Sequence, residues 1–115
     1  MKRAVTLKEN YEFRRLYQRG KSAAGGSMVL YCRKNKLDHN RLGLTASTKL
    51  GHAVVRNRCR RRLREVYRIN EERFSPGWDI VVVARTRAIH APFDQLTKAY
   101  LALAKKSGIL REEQA

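Results

Sequence analysis

Apolar positions change period four times along the chain, and each change marks an element. Thr6-Leu7-Lys8-Glu9 has capping-box spacing and predicts a helix over Leu7–Arg19, with Phe13, Leu16 and Tyr17 on one side and Tyr11 flanking. Gly20 is a natural stop, because glycine tolerates the left-handed conformation that follows a last helical turn. The small residues from Ser22 to Ser27 read as a loop. Met28–Arg33 and Arg41–Ser47 then read as strands, joined by the polar stretch Lys34–Asn40 as an antiparallel pair. In the second of them Leu42, Leu44 and Ala46 point one way and Gly43, Thr45 and Ser47 the other, giving one apolar face and one smooth polar face. Val55, Cys59, Leu63 and Val66, followed by Tyr67 and Asn70, return to helical spacing. After the turn Ser75-Pro76-Gly77, the β-branched run Asp79–Arg85 predicts a central strand covered on both faces. Pro92 suits the first turn of a last helix carrying Phe93, Leu96, Tyr100 and Leu103 and ending near Gly108, with a frayed tail from Ile109 to Ala115. The order is α-β-β-α-β-α, an α+β sandwich of helices on a small mixed sheet, within one domain over residues 1–115. The default for the strand-helix-strand connection is right-handed.

The polar faces change this picture at one helix. Arg56, Arg58, Arg60, Arg61, Arg62, Arg64 and Arg68 surround its apolar stripe, with Glu65 as the one acid and Asn57 as the one amide between positions 56 and 68. Arg56, Arg60, Arg64 and Arg68 form an i, i+4 row, a spacing at which like charges repel instead of supporting the helix. The whole chain has 26 Lys+Arg against 10 Asp+Glu, a formal net charge of +16 in 115 residues. With 43% hydrophobic residues the chain has enough apolar content to fold, so its excess charge calls for a polyanionic partner. Guanidinium groups make bidentate bonds to phosphate, and the scarcity of base-reading amides favours structured RNA over the DNA major groove. Phe13, Tyr17 and Tyr31 could form a stacking platform for unpaired bases, although ordinary core packing explains aromatics at this spacing as well.

Other classes find little support. Apolar stretches such as Ile80–Ala84 are too short to span a membrane, and Met1–Val5 lacks the apolar stretch of a secretory signal, so the expected location is cytoplasmic. Cys32 and Cys59 read as buried free thiols, and His39, His52 and His90 are scattered as solvated turn residues would be. No metal-ligand spacing, phosphate-loop motif or catalytic cluster is present, so self-contained catalysis is not expected. A structural RNA-binding protein of the ribosomal kind shares the charge and the α/β build, and a metal-dependent nuclease is the remaining alternative.

The segment Arg41-Leu-Gly-Leu-Thr-Ala-Ser-Thr-Lys-Leu-Gly51, continuing through Ala53-Val-Val-Arg-Asn-Arg-Cys-Arg-Arg-Arg-Leu-Arg-Glu65, resembles the bacterial ribonuclease P protein component. The R-N-R at Arg56-Asn57-Arg58 is its core signature. The likeness extends to Asn10-Tyr-Glu-Phe13 with Tyr17, to Val29-Leu-Tyr31 and to Asp79–Arg85, nearly the whole chain. Thr48 and His52 depart from the family pattern, which has a basic residue and Asn there, and Ala46 stands where Val is usual. The resemblance implies the fold shared with the second domain of ribosomal protein S5, including a left-handed β-α-β crossover against the default. It implies the protein subunit of a ribonucleoprotein endonuclease that removes the 5′ leader of precursor tRNA, with hydrolysis performed by the RNA subunit and its magnesium. By position, Lys49, Arg56, Asn57, Arg58, Arg60, Arg61, Arg62, Arg64 and Arg68 would bind the catalytic RNA. Phe13, Tyr17 and Tyr31 would meet the single-stranded leader, and no residue of the protein would be catalytic or hold a metal or cofactor.

Overall fold

The computed structural model describes residues 3–111. Its elements run β1 (Val5–Thr6), α1 (Asn10–Arg19), β2 (Lys21–Ala24), β3 (Met28–Lys34), β4 (Arg41–Thr45), α2 (Ala53–Asn70), β5 (Trp78–Ala84) and α3 (Phe93–Lys106). Single-turn 3-10 helices stand at Thr48–Leu50, Glu71–Arg73 and Thr86–Ala88. The strands form one sheet in the order β1-β4-β5-β3-β2. As the uninterrupted apolar run requires, β5 is central and Ile80, Val81 and Val82 are fully buried.

The expected antiparallel pair of β3 with β4 does not form, because β5 lies between them, antiparallel to β3 and parallel to β4. A strand apolar on both faces cannot be left at an edge, and the connection between β3 and β4 is therefore carried across the start of β5. It is pinned there by Asn35 N–H donating to the Gly77 carbonyl (2.9 Å) and Trp78 N–H donating to Asn40 Oδ1 (2.8 Å). Buried Asn40 also donates from Nδ2 to the Tyr67 hydroxyl of α2 (3.1 Å), and its carbonyl accepts from Val5 N–H (2.9 Å).

Register sorts the strands' side chains onto two faces. Leu42–Ile80–Cys32 and Leu44–Val82–Leu30 cross the sheet on the face covered by α2 and α3. Gly43–Val81–Tyr31 and Thr45–Val83–Val29 cross on the opposite face, where α1 lies and where Leu7, Leu16 and Val81 form a smaller buried cluster.

Other expectations change at the ends of elements. Thr6 does not cap α1, because it pairs with Leu42 as part of β1 and the following Leu7 is buried. The helix starts three residues later than expected, capped by Glu9 in a reciprocal box with Glu12. Gly20 is extended (φ −79°), not left-handed. Its role is close approach, since a Cβ there would stand 2.6 Å from the Leu16 carbonyl oxygen and 2.9 Å from that of Cys32. The expected loop 22–27 begins as strand β2, paired with β3 and burying Ala23. In α3, Phe93 is exposed, and Leu96, Tyr100, Leu103 and Ala104 make the buried stripe. The frayed tail does not begin at Ile109, which is fully buried, while Leu110 bridges Phe74 and Arg111 N–H donates to the Arg73 carbonyl (2.7 Å). Positions 112–115 of that expected tail lie outside the described residues, as do positions 1 and 2 of the segment read for a signal. No helix among the described residues is long and apolar enough to cross a membrane.

Asn40→Ala should cost about 1–3 kcal/mol, because the Trp78 N–H and the Tyr67 hydroxyl lose their partners together. Chemical denaturation of the purified variant, read at its midpoint with unchanged slope, checks this.

Candidate nucleic-acid interface

Helix α2 docks through Cys59, Leu63, Val66 and Tyr67, all buried, and Val55, expected in that stripe, is only half-buried at its start. Its arginines fall into distinct states. Arg58, Arg61 and Arg64 are exposed and make no hydrogen bond or ion pair with any described residue. Arg60 bonds the Asn57 side chain. Arg68 pairs with Glu65 (Nε to Oε2, 2.9 Å), which holds the Glu65 carboxyl below the usual range and the Arg68 guanidinium above it. Arg56 is half-buried, and its Nε is buried without a partner. The i, i+4 row is thus only partly a free surface.

Arg62 is directed inward. Its guanidinium donates to the carbonyls of Ala88 (3.1 Å), Ile89 (3.4 Å) and Ala91, tying α2 to the segment that leads into α3. Lys49 is exposed on the 3-10 turn Thr48–Leu50, just before α2. His52 is the N-cap of α2 and makes no side-chain cap bond. An Asn there, as in the family pattern, is among the side chains best suited to accept from the first-turn amides.

On the opposite face, the three aromatics come together between α1 and the sheet. Tyr17 and Tyr31 meet edge to face with ring centroids 4.9 Å apart. Phe13 lies over Gly43, where a Cβ would come within 2.5 Å of its ring. Glycine at this position therefore lets an aromatic side chain rest on the strand itself. Phe13 and Tyr31 pack on the small cluster around Val81, while Tyr17 remains 43% exposed. Phe13 and Tyr31 thus cover the sheet, while Phe13 and Tyr17 line an open groove. Beside them Asn10, Phe13, Arg14, Tyr17 and Thr45 enclose a groove of about 360 Å³.

An ion cluster absent from the sequence reading fixes α1 over this cleft. Arg41 on β4 binds both carboxylate oxygens of Asp79 on β5 (2.8 and 2.6 Å) and also reaches Glu12 of α1. The bond to Asp79 holds the Arg41 guanidinium more firmly protonated than usual. Asn35 Nδ2 adds a bond to Asp79 Oδ1 (2.9 Å). All three charged side chains are largely shielded, so their pairing is worth more than that of an exposed pair. The sequence reading placed Arg41 and Asp79 each at the start of a strand but gave no sign that they pair.

Burial pushes the Cys32 and Cys59 thiols up, away from the reactive thiolate. Among the described residues, no group of three or more His, Cys, Asp or Glu side chains could hold a metal ion.

A family model described as Ribonuclease P matches residues 1–108 of the chain. The ribonuclease P protein component of Natranaerobius thermophilus is 40% identical over 112 residues, covering 97% of each chain. That of Clostridioides difficile is 42% identical over 108 residues, covering 93% of this chain and 95% of the relative. Among solved structures, the Staphylococcus aureus RNase P protein superposes with a TM-score of 0.85 at 34% identity, covering 94% of this chain and 99% of that one. The RNase P protein from Thermotoga maritima gives 0.81 at 31% identity, covering 88% and 96%.

The two states of arginine on α2 should separate in a melting experiment. Arg62→Ala removes bonds to three carbonyls and should lower stability by about 1–2 kcal/mol, a fall of several degrees in Tm. Arg61→Ala should leave Tm unchanged or raise it, since it removes one of several like charges.

Proposed function

Since this chain belongs to the bacterial ribonuclease P protein family, we propose that the free arginine face of α2 holds the RNA subunit and that the aromatic cleft under α1 holds the leader of the substrate. The protein is a subunit of the ribonuclease P ribonucleoprotein, an endonuclease that acts on the 5′ leader of precursor tRNA and whose RNA carries the catalysis. The observation that carries the assignment of surfaces is their separation: α1 and α2 cover opposite faces of one sheet, so both can be occupied at once.

Arg58, Arg61 and Arg64 have no partner among the described residues, so phosphate is the chemistry their exposed guanidinium groups are free to meet. Lys49, Arg56, Arg60 and Arg68 with Asn57 extend this surface, Arg60 and Arg68 by exchanging weak exposed pairings for phosphate. Arg62 acts indirectly, by holding the 88–91 segment against α2. Sequence-independent contacts of this kind suit a folded RNA recognised by backbone and shape.

The cleft suits a different ligand. Phe13, Tyr17 and Tyr31 offer ring faces and edges to bases that are already unstacked, which a leader supplies and the acceptor stem of mature tRNA does not. The protein's part in the reaction is thus to raise affinity for the leader-bearing substrate over the product. Magnesium belongs to the RNA active site in this reading, and no side chain of the protein is asked to hold it. The particle acts on newly made transcripts, and we take it to be cytoplasmic.

Arg58→Ala and Arg61→Ala should each weaken binding of the protein to its RNA subunit and reduce the salt slope of log affinity by about one. Filter binding across a potassium series measures this. Tyr31→Ala should weaken the holoenzyme's affinity for leader-bearing precursor while sparing mature tRNA. Equal weakening of both would count against a leader in the cleft.

A further inference from the structure

Stacking surfaces hold bases and leave the backbone charge of a single strand unanswered. Of the side chains lining the groove beside α1, only Arg14 is charged. Asn10, Arg14 and Tyr17 are spaced i, i+4 and i+7, so they form one flank of α1, with Phe13 next to it. Thr45, at the end of β4, closes the other side.

Several charged groups on and beside α1 are already engaged. Arg41 is held by Asp79 and Glu12. Arg15 stacks on the Tyr11 ring, 5.7 Å from its centroid. The acids of α1, Glu9 and Glu12, are joined in the capping box, and Glu12 is also bound by Arg41. Arg14 is exposed and has no hydrogen bond or ion pair with any described residue. It stands one residue from Phe13 and three from Tyr17, within reach of any strand laid across their rings.

We propose that Arg14 holds a backbone phosphate of the leader segment that stacks on Phe13 and Tyr17. The inference rests on the leader reading of the cleft and adds a contact of different chemistry to it. The contact is blind to base identity, as is stacking on these rings, so together they give affinity for a single strand without demanding a leader sequence. The planar guanidinium can grip two phosphate oxygens at once, which an ammonium cannot.

The test uses the reconstituted holoenzyme with Arg14→Gln and Arg14→Lys, on precursor tRNA and on mature tRNA, across monovalent salt at fixed magnesium. Arg14→Gln should bind precursor about three- to tenfold more weakly at low salt, with the salt slope reduced by about 0.7, the value for one single-strand phosphate contact. Mature tRNA should be bound as by the unaltered enzyme. Arg14→Lys should restore the slope and only part of the affinity. A scan of methylphosphonates along the leader should find one position whose neutralisation weakens the unaltered enzyme and has no further effect on Arg14→Gln. Since Arg14 makes no bond to any described residue, its variants should melt as the unaltered protein does, so lost affinity is not lost folding. Equal weakening of precursor and mature tRNA by Arg14→Gln, or a methylphosphonate penalty that persists undiminished in it, would overturn the inference. Tyr17→Ala separates the two levels. If it weakens precursor alone while Arg14→Gln does nothing, only the phosphate contact fails; if it weakens both RNAs equally, the leader reading fails as well.

Discussion

The burial of β5 on both faces is the constraint from which the rest of the architecture follows. Ile80 and Val82 require cover on one side and Val81 on the other, so helices must lie on both sides of the sheet. A parallel neighbour on one edge and an antiparallel one on the other satisfy the strand's hydrogen bonds. Joining β4 to a parallel β5 needs a crossover, and α2 is that crossover. Because the crossover lies on the α3 side, α1 is left alone on the other face, where it cannot close the sheet completely. A cationic helix and an aromatic cleft thus stand back to back on one thin sheet.

Charge is distributed according to whether a partner exists inside the protein. Arg41 and Arg62 are spent on the fold: one ties α1 to β4 and β5 through carboxylates, the other ties α2 to the approach of α3 through carbonyls. Arg58, Arg61, Arg64 and Arg14 are exposed and make no such bond to a described residue. With 26 basic residues against 10 acids, the chain cannot pair most of its cations, and several of those left over stand together on the exposed side of α2. The excess of charge opposes compactness until a polyanion joins it, which couples the protein's comfort to its assembly with RNA.

What the sequence made legible depended on how strongly side chains repeat. The long helix with Cys59, Leu63 and Val66, and the β-branched run through Val83, are unambiguous because apolar period and length agree. Strand β2 was hidden because Lys21-Ser22-Ala23-Ala24 has no bulky alternation and takes its strand state from pairing with β3. Adjacency in sequence suggested pairing β3 with β4, and only the demand of β5 for two neighbours breaks that rule. At the site, residue type revealed the arginines but not their direction. Arg62 sits among solvent-facing arginines and differs from them in lying over the Ala88–Ala91 carbonyls, a tertiary fact. Gly43 was legible as part of a smooth face, but its purpose, receiving the Phe13 ring, required the packing of α1.

The central claim is that two faces of one sheet serve two different RNAs. It can be tested most directly by local cleavage from a tethered iron chelate, attached in separate holoenzymes to Arg61→Cys on α2 and Gln18→Cys beside the cleft. The native Cys32 and Cys59 are buried and will not compete for the label. With precursor tRNA bound, the account predicts that the reagent at position 61 cuts the RNA subunit and that the reagent at position 18 cuts the leader. Cuts from both positions in the same RNA, or from position 18 in the RNA subunit with the leader untouched, would contradict it.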